Sequence, residues 1–211
     1  MPVFRSGFDL APDWCELEYF EIVSLNTGEA HSFERLGASE LLFVAEGECR
    51  IQWDDQELLV IEAADFELTS PTGNFEVTEV LKKARLVRLC GRWGEEIGGY
   101  GLFTYQGDEP VPYEGDPVDY EKTTKFDRHF HDCDEYWIII EGRGIAVSEG
   151  KAYEIGPGDC VATGKGYHHD LPHIFERIKG IYFETTLEGE KRLGHLWEHT
   201  HGEPDPDPNR V

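Results

Sequence analysis

A chain of 211 residues with 39% hydrophobic and 12% aromatic side chains carries enough apolar surface to fill a core, so it reads as globular. Forty-three acidic against nineteen basic residues leave a formal charge of −24, which repels phosphate backbones and anionic lipid and makes nucleic acid and membrane poor partners. No stretch approaches the length needed to span a bilayer, no basic-then-apolar leader opens the chain, and the five cysteines show no C-x-x-C spacing. The expectation is therefore a soluble, cytoplasmic protein with reduced thiols.

Along the chain, short runs of β-branched and aromatic residues predict strands over 20–23, 40–44, 49–53, 57–61, 75–80 and 84–89. The second half continues with 136–140, 144–147, 153–155 and 180–185, most of them bounded by Gly, Pro, Asp or Asn. Helix is expected only in short pieces near Glu95 and within 191–199. Residues 106–119 are rich in proline, glycine and acids and read as a linker, and residues 202–211 read as a mobile tail. The expected organisation is an N-terminal lobe over 1–105, the linker, a C-terminal lobe over 120–201 and the tail.

The two halves look like copies of one unit. Glu40, Gly47, Asp65 and the segment 71–76 are answered by Glu135, Gly142, Asp159 and the segment 164–169, at an offset of about 94 residues throughout.

The chemistry concentrates between His129 and His169. On an extended strand, His129 and His131 point to the same face and can share one ion. A tight turn over Asp132 to Asp134 brings Glu135 back beside them, and the apolar run that follows fixes the carboxylate's direction. A fourth group comes from His168 or His169, between which strand alternation does not choose.

Here the sequence resembles the cupin superfamily. His129, His131, Glu135 and Gly142 follow its first motif, and Gly158, Gly164, Gly166 and His169 its second. Three turn positions depart from the pattern: Thr123 replaces a glycine, Gly164 a proline and His173 an asparagine. The resemblance implies an all-β fold of two tandem double-stranded β-helix barrels of the cupin, jelly-roll-like kind. It also implies one divalent transition metal (Fe, Mn, Ni, Co or Zn) on His129, His131, Glu135 and His169, with His168 as the alternative fourth ligand. By the same template the N-terminal lobe places Glu34, Leu36 and Glu76 at ligand positions and lacks the site. A homodimer is expected from proteins of similar build.

Alternation with the ligands nominates Trp137, Glu141, Tyr167 and Leu171 as pocket residues; Lys165 and Arg143 offer positive charge at the mouth for a carboxylate substrate, against the commoner reading as exposed turn cations. Four protein ligands leave one or two coordination positions open for a small-molecule ligand. The leading reading is a metal-dependent enzyme that acts on a small oxygen-rich metabolite, a sugar or a carboxylate, by Lewis-acid chemistry with isomerase, epimerase or lyase outcome. The alternatives are a mononuclear Fe(II) dioxygenase and a non-catalytic, metal-containing small-molecule binding protein. His195, His199 and His201 have helical metal-pair spacing but read as incidental surface histidines, and Cys133 is a thiol close to the proposed metal.

Overall fold

The computed structural model describes residues 3–5, 9–68, 73–107, 118–196 and 202–211. Among them there are fourteen strands and no helix. The helical pieces expected near Glu95 and over 191–199 are instead a bend before a strand and a segment ending in a two-residue strand, with 197–199 outside the described residues. No helix here is long and apolar enough to cross a membrane.

The chain forms two compact units, one of residues 16–93 and one of residues 1–15 with 94–211. The first holds β2 (Leu17–Leu25), β3 (His31–Phe33), β4 (Ser39–Trp53), β5 (Gln56–Ile61), β6 (Asp65–Leu68) and β7 (Phe75–Gly91). Its antiparallel sheet runs β2-β7-β4-β5, with β3 also on β7 and β6 also on β4. The second holds β1 (Val3–Arg5), β8 (Ile97–Tyr105), β9 (His129–Phe130), β10 (Glu135–Ser148), β11 (Lys151–Ile155), β12 (Asp159–Thr163), β13 (His169–Thr186) and β14 (His195–Leu196). There β8, β10 and β9 lie on β13, and β11 and β12 lie on β10. This is the connectivity of the first unit strand for strand, with β1 added on β12 and β14 on β9.

The repeat is visible in backbone detail. Gly47 and Gly142 sit at equivalent irregularities in the central ladders with φ of 87° and 82°, and a Cβ on either would meet a facing carbonyl oxygen at 2.2 and 2.1 Å. Only glycine fits such a bulge, which bends the long strand and lets it curl. Both faces of these strands are buried. Leu42 and Val44 enter one apolar cluster while Leu41 and Phe43 are buried opposite, and Trp137 and Ile139 alternate likewise with Tyr136 and Ile138. That is why the runs read as continuous apolar stretches.

Two expected boundaries move. Residues 97–105, expected in the N-terminal lobe because the proline-rich segment after them reads as a linker, form β8, which pairs with β13 from Ile97 to Tyr105 and plays the part that β2 plays in the first unit. The repeat therefore starts at β2 and at β8, and residues 106–107 and 118–119 of the expected linker belong to the second unit; 108–117 lies outside the described residues. The tail 202–211, expected to be mobile, is tied down. The Arg210 guanidinium donates to Asp134 at 2.8 Å and to Glu188 at 2.7 Å.

Register also corrects the template for the first unit. His129 faces His169 across β9 and β13, and the equivalent pair across β3 and β7 is Phe33 and Phe75. Glu34 and Glu76 are thus not the equivalent positions: the connection from Phe33 to Glu40 is one residue longer than that from His129 to Glu135, and Glu76 lies one residue past Phe75 on β7. Leu36 and Glu76 are exposed instead. The Phe33 and Phe75 rings stack at 4.9 Å, and the Arg88 guanidinium lies 5.1 and 5.5 Å from their centroids. Arg88 pairs with the buried Glu40 at 2.7 Å and with Glu21 at 3.0 Å.

Replacing Arg88 by methionine strands the Glu40 carboxylate without its countercharge, an error that costs about 3–5 kcal/mol in buried pairs. Urea unfolding is expected to show that loss for Arg88→Met, and to show part of it recovered in the double variant Arg88→Met/Glu40→Gln.

Candidate metal centre

Four donors converge at one end of the second unit. His129, His131, Glu135 and His169 each bring a ligand atom into a group whose members all lie within 4.8 Å of one another. His169 Nε2 is 3.1 Å from His129 Nε2 and 2.6 Å from Glu135 Oε2, and His131 Nε2 is 3.1 Å from the same carboxylate oxygen. His168 does not join them. Its ring packs against Phe130 at 5.2 Å, as strand alternation requires once His169 faces inward.

Each donor is aimed by a neighbour. His129 Nδ1 lies 2.6 Å from the Asp127 carbonyl, and His131 Nδ1 bonds the Leu193 carbonyl. A carbonyl only accepts, so each Nδ1 carries the proton and each Nε2 keeps its lone pair for the centre. Trp137 Nε1 donates to Glu135 Oε1 at 2.9 Å, which leaves Oε2 to face the imidazoles. Burial pushes His129 down to about 3, and the neighbouring His169 adds to the effect, so His129 is neutral at ordinary pH. Burial opposes the charge of Glu135, but positive charge at His169 and His131 outweighs it and holds the carboxyl well below the usual range, a part that a cation would take over from neutral imidazoles.

These residues fit a metal ion. His131 Nε2 and Glu135 Oε2 are buried without a well-aligned hydrogen-bond partner, as is His169 Nδ1. Orphaned buried polar atoms are costly, and two of these three point at the common centre, where a cation would satisfy both. Three imidazoles and one carboxylate are a donor set for divalent first-row ions.

The turn that carries the donors is clamped from outside. Asp132 accepts from Arg192 at 3.0 and 3.2 Å, and Asp134 accepts from Arg210 and from the Lys165 backbone N–H at 2.9 Å. The Gly166 N–H donates to the His131 carbonyl at 2.9 Å. Beside His169, the buried Asp170 takes the Lys122 ammonium at 2.8 Å and the Tyr120 hydroxyl at 2.8 Å. The departures from the family pattern find their reasons here. A Cβ on Gly164 would meet the Arg210 carbonyl oxygen at 2.3 Å, so the docked tail demands glycine. Thr123 Oγ1 and His173 Nδ1 lie 3.1 Å apart, so these two substitutions hydrogen-bond to each other.

Next to the donors is a cavity of about 210 Å³, on whose wall His129 and Glu135 lie. Of the nominated pocket residues Trp137 lines it. Leu171 is core, and Glu141 and Tyr167 are half-buried away from the cavity. Sequence reasoning missed Phe103, Tyr105, Phe126, Tyr182 and Glu184. Tyr182 and Glu184 stand directly opposite Trp137 and Glu135 in the β10–β13 ladder, so alternation along 180–185 contained the signal. Burial raises the Glu184 carboxyl to about 7 despite the opposing pull of His131. Cys133 is fully buried, and burial pushes its thiol up, so it is a neutral thiol; with His131 and Glu184 it forms a second, smaller donor group. His195 joins β14 through its backbone, and His199 and His201 lie outside the described residues.

Comparison with known proteins agrees with this geometry. The family model "Cupin domain" matches residues 118–177, the stretch that carries all four donors. "Uncharacterized protein y4oW" of Sinorhizobium fredii (strain NBRC 101917 / NGR234) is 46% identical over 211 residues, covering 100% of this chain and 97% of its own. A point mutant of Bacillus subtilis oxalate decarboxylase is similar in fold with TM-score 0.58 at 11% identity, over 94% of this chain and 80% of that one. A second structure of that decarboxylase, described for its Mn(II) centres, gives TM-score 0.53 at 12% identity over 84% and 70%.

Arg210 is the outermost of the clamps and is testable apart from the donors. Arg210→Met is expected to lower stability by about 1–3 kcal/mol, since Asp134 loses a charged partner, and to weaken divalent-ion affinity about tenfold. Arg210→Lys should recover part of both, as read by urea unfolding and by competition with a chromogenic chelator.

Proposed function

The chain belongs to the cupin superfamily, and from that premise we propose that it is a metal-dependent enzyme acting on a small oxygen-bearing metabolite. The observation that carries this reading is the position of the donor set. His129 and Glu135 lie on the wall of a cavity, whereas a purely structural ion is closed off by its ligands. The identical strand order of the two units supports reading both as cupin units, with Phe33 and Phe75 replacing histidine donors in the first.

His129, His131, Glu135 and His169 would hold one divalent ion, which when bound supplies a Lewis acid for a substrate oxygen. The chain's other residues set the surroundings. Trp137 fixes the rotation of the Glu135 carboxylate, and its ring with Phe126 and Phe103 lines the cavity with apolar surface that excludes bulk water and strengthens electrostatic interactions inside. Tyr105, Tyr182 and Glu184 are the hydroxyl- and carboxyl-bearing side chains of the wall outside the donor set. An isomerase, epimerase or lyase outcome follows from Lewis-acid chemistry without a redox partner.

The test is elemental analysis of the untagged protein purified without added metal. Near-stoichiometric manganese, nickel, cobalt or zinc is expected in the wild type, with loss in both His131→Ala and Glu135→Ala. Stoichiometric iron with strictly oxygen-dependent turnover would move the assignment to a dioxygenase. A wild type that stays metal-free after reconstitution would sink the enzyme reading.

A further inference from the structure

The cavity wall is chemically one-sided. Five of its side chains are aromatic: Phe103 and Tyr105 from β8, Phe126, Trp137 and Tyr182. Several meet at tilted or edge-on angles, with centroids 6.1 Å apart for Phe103 and Trp137, 5.3 Å for Phe126 and Trp137, and 5.3 Å for Tyr105 and Phe126. These contacts brace one another and keep an aromatic surface in place before any ligand arrives. The remaining lining groups are His129, Glu135 and Glu184, and no lysine or arginine stands among the described lining residues. The cations expected at the mouth are engaged elsewhere, Lys165 with Glu188 at 3.1 Å and Arg143 with Glu154.

Charge then separates the ligand classes. A divalent ion on Glu135 leaves about one net positive charge at the centre. A dicarboxylate would overshoot that balance by one charge and leave the excess against the negative faces of the rings, with no cation among the described lining residues to receive it. A neutral or singly ionised chelator meets no such penalty. The volume suits one ring: an apolar cavity of about 150 Å³ takes up benzene, and a space of about 210 Å³ has room for one substituted six-membered ring.

We propose that the cavity receives a single-ring aromatic ligand bearing two adjacent oxygens, uncharged or singly ionised, with the oxygens toward the donor set and the ring against the aromatic wall. This rests on the metal reading above and narrows its substrate class, turning away from the carboxylates that the sequence left open.

The test uses the full chain loaded with manganese, its metal content verified by elemental analysis. Calorimetric titrations compare catechol, cyclohexane-1,2-diol, which chelates without an aromatic face, and oxalate. Catechol is expected to bind at least about tenfold more tightly than either. Phe126→Leu and Phe103→Leu, which keep apolar bulk but remove a ring, should each weaken catechol about three- to tenfold with manganese content and circular dichroism unchanged. Oxalate binding as tightly as catechol, or catechol binding indifferent to both substitutions, overturns the proposal. A chain that takes up no divalent ion overturns the metal reading separately. Catechol binding to that metal-free chain with the same loss in Phe126→Leu would then uphold the aromatic preference, and no binding would overturn it as well.

Discussion

A carboxylate buried in a β core costs several kcal/mol unless a positive charge accompanies it, and this protein meets that constraint twice at equivalent positions. Glu40 and Glu135 occupy the same place near the start of the long central strand in each unit, 1% and 5% exposed. Around Glu40 the compensation is built into the chain, with the Arg88 guanidinium held over the stacked Phe33 and Phe75 rings and shared with Glu21. Around Glu135 the two phenyl positions become His129 and His169. Imidazoles held with lone pairs inward offer acceptors where a guanidinium offers donors, so one centre is closed by its own side chains and the other calls for a cation from outside.

Lone pairs gathered this closely repel one another in the absence of a cation, so the donor turn has to be held by the rest of the fold. The holding groups are themselves ion pairs. Asp132 with Arg192 and Asp134 with Arg210 grip the turn on either side of Cys133, and Asp170 with Lys122 fixes the start of the strand that carries His169. A chain with a large acidic excess thus places three of its scarce cations around one site. The tail takes part through Arg210 and through its backbone, which lies against Gly164 and Gly166 closely enough that a Cβ on either would approach tail carbonyl oxygens at 2.3 and 2.5 Å.

This history of local and distant constraints explains what the sequence disclosed. The donors were legible because His129 and His131 are separated by one residue on an extended segment and Glu135 follows a short turn, and both are local facts. His169 needed a family pattern, since alternation alone leaves His168 equivalent until the sheet gives the strand an inside. Phe33 was hidden by one extra residue between β3 and β4, which shifts a count taken back from Glu40, and Phe75 by matching segment 71–76 to 164–169 one residue out of register. Sheet membership was the least legible property. Proline and glycine after β8 mark a break in local structure, but only the ladder from Ile97 to Tyr105 shows which sheet the strand joins. The tail's composition likewise predicts weak packing and says nothing of a guanidinium reaching an aspartate far away in sequence.

The misplaced strand is also what separates the two centres chemically. In the first unit β2 sets Glu21 opposite Arg88, adding a second carboxylate to the closed centre. In the second unit β8 sets Gly101 opposite Tyr182, the equivalent pair. A Cβ at Gly101 would come within 2.8 Å of the Tyr182 ring, so the missing side chain gives that ring its place on the cavity wall. Two residues farther along β8 and beyond, Phe103 and Tyr105 complete the wall. One register position thus supplies charge in one copy and space in the other, and the aromatic cavity follows from that exchange together with the change from phenyl to imidazole at the centre.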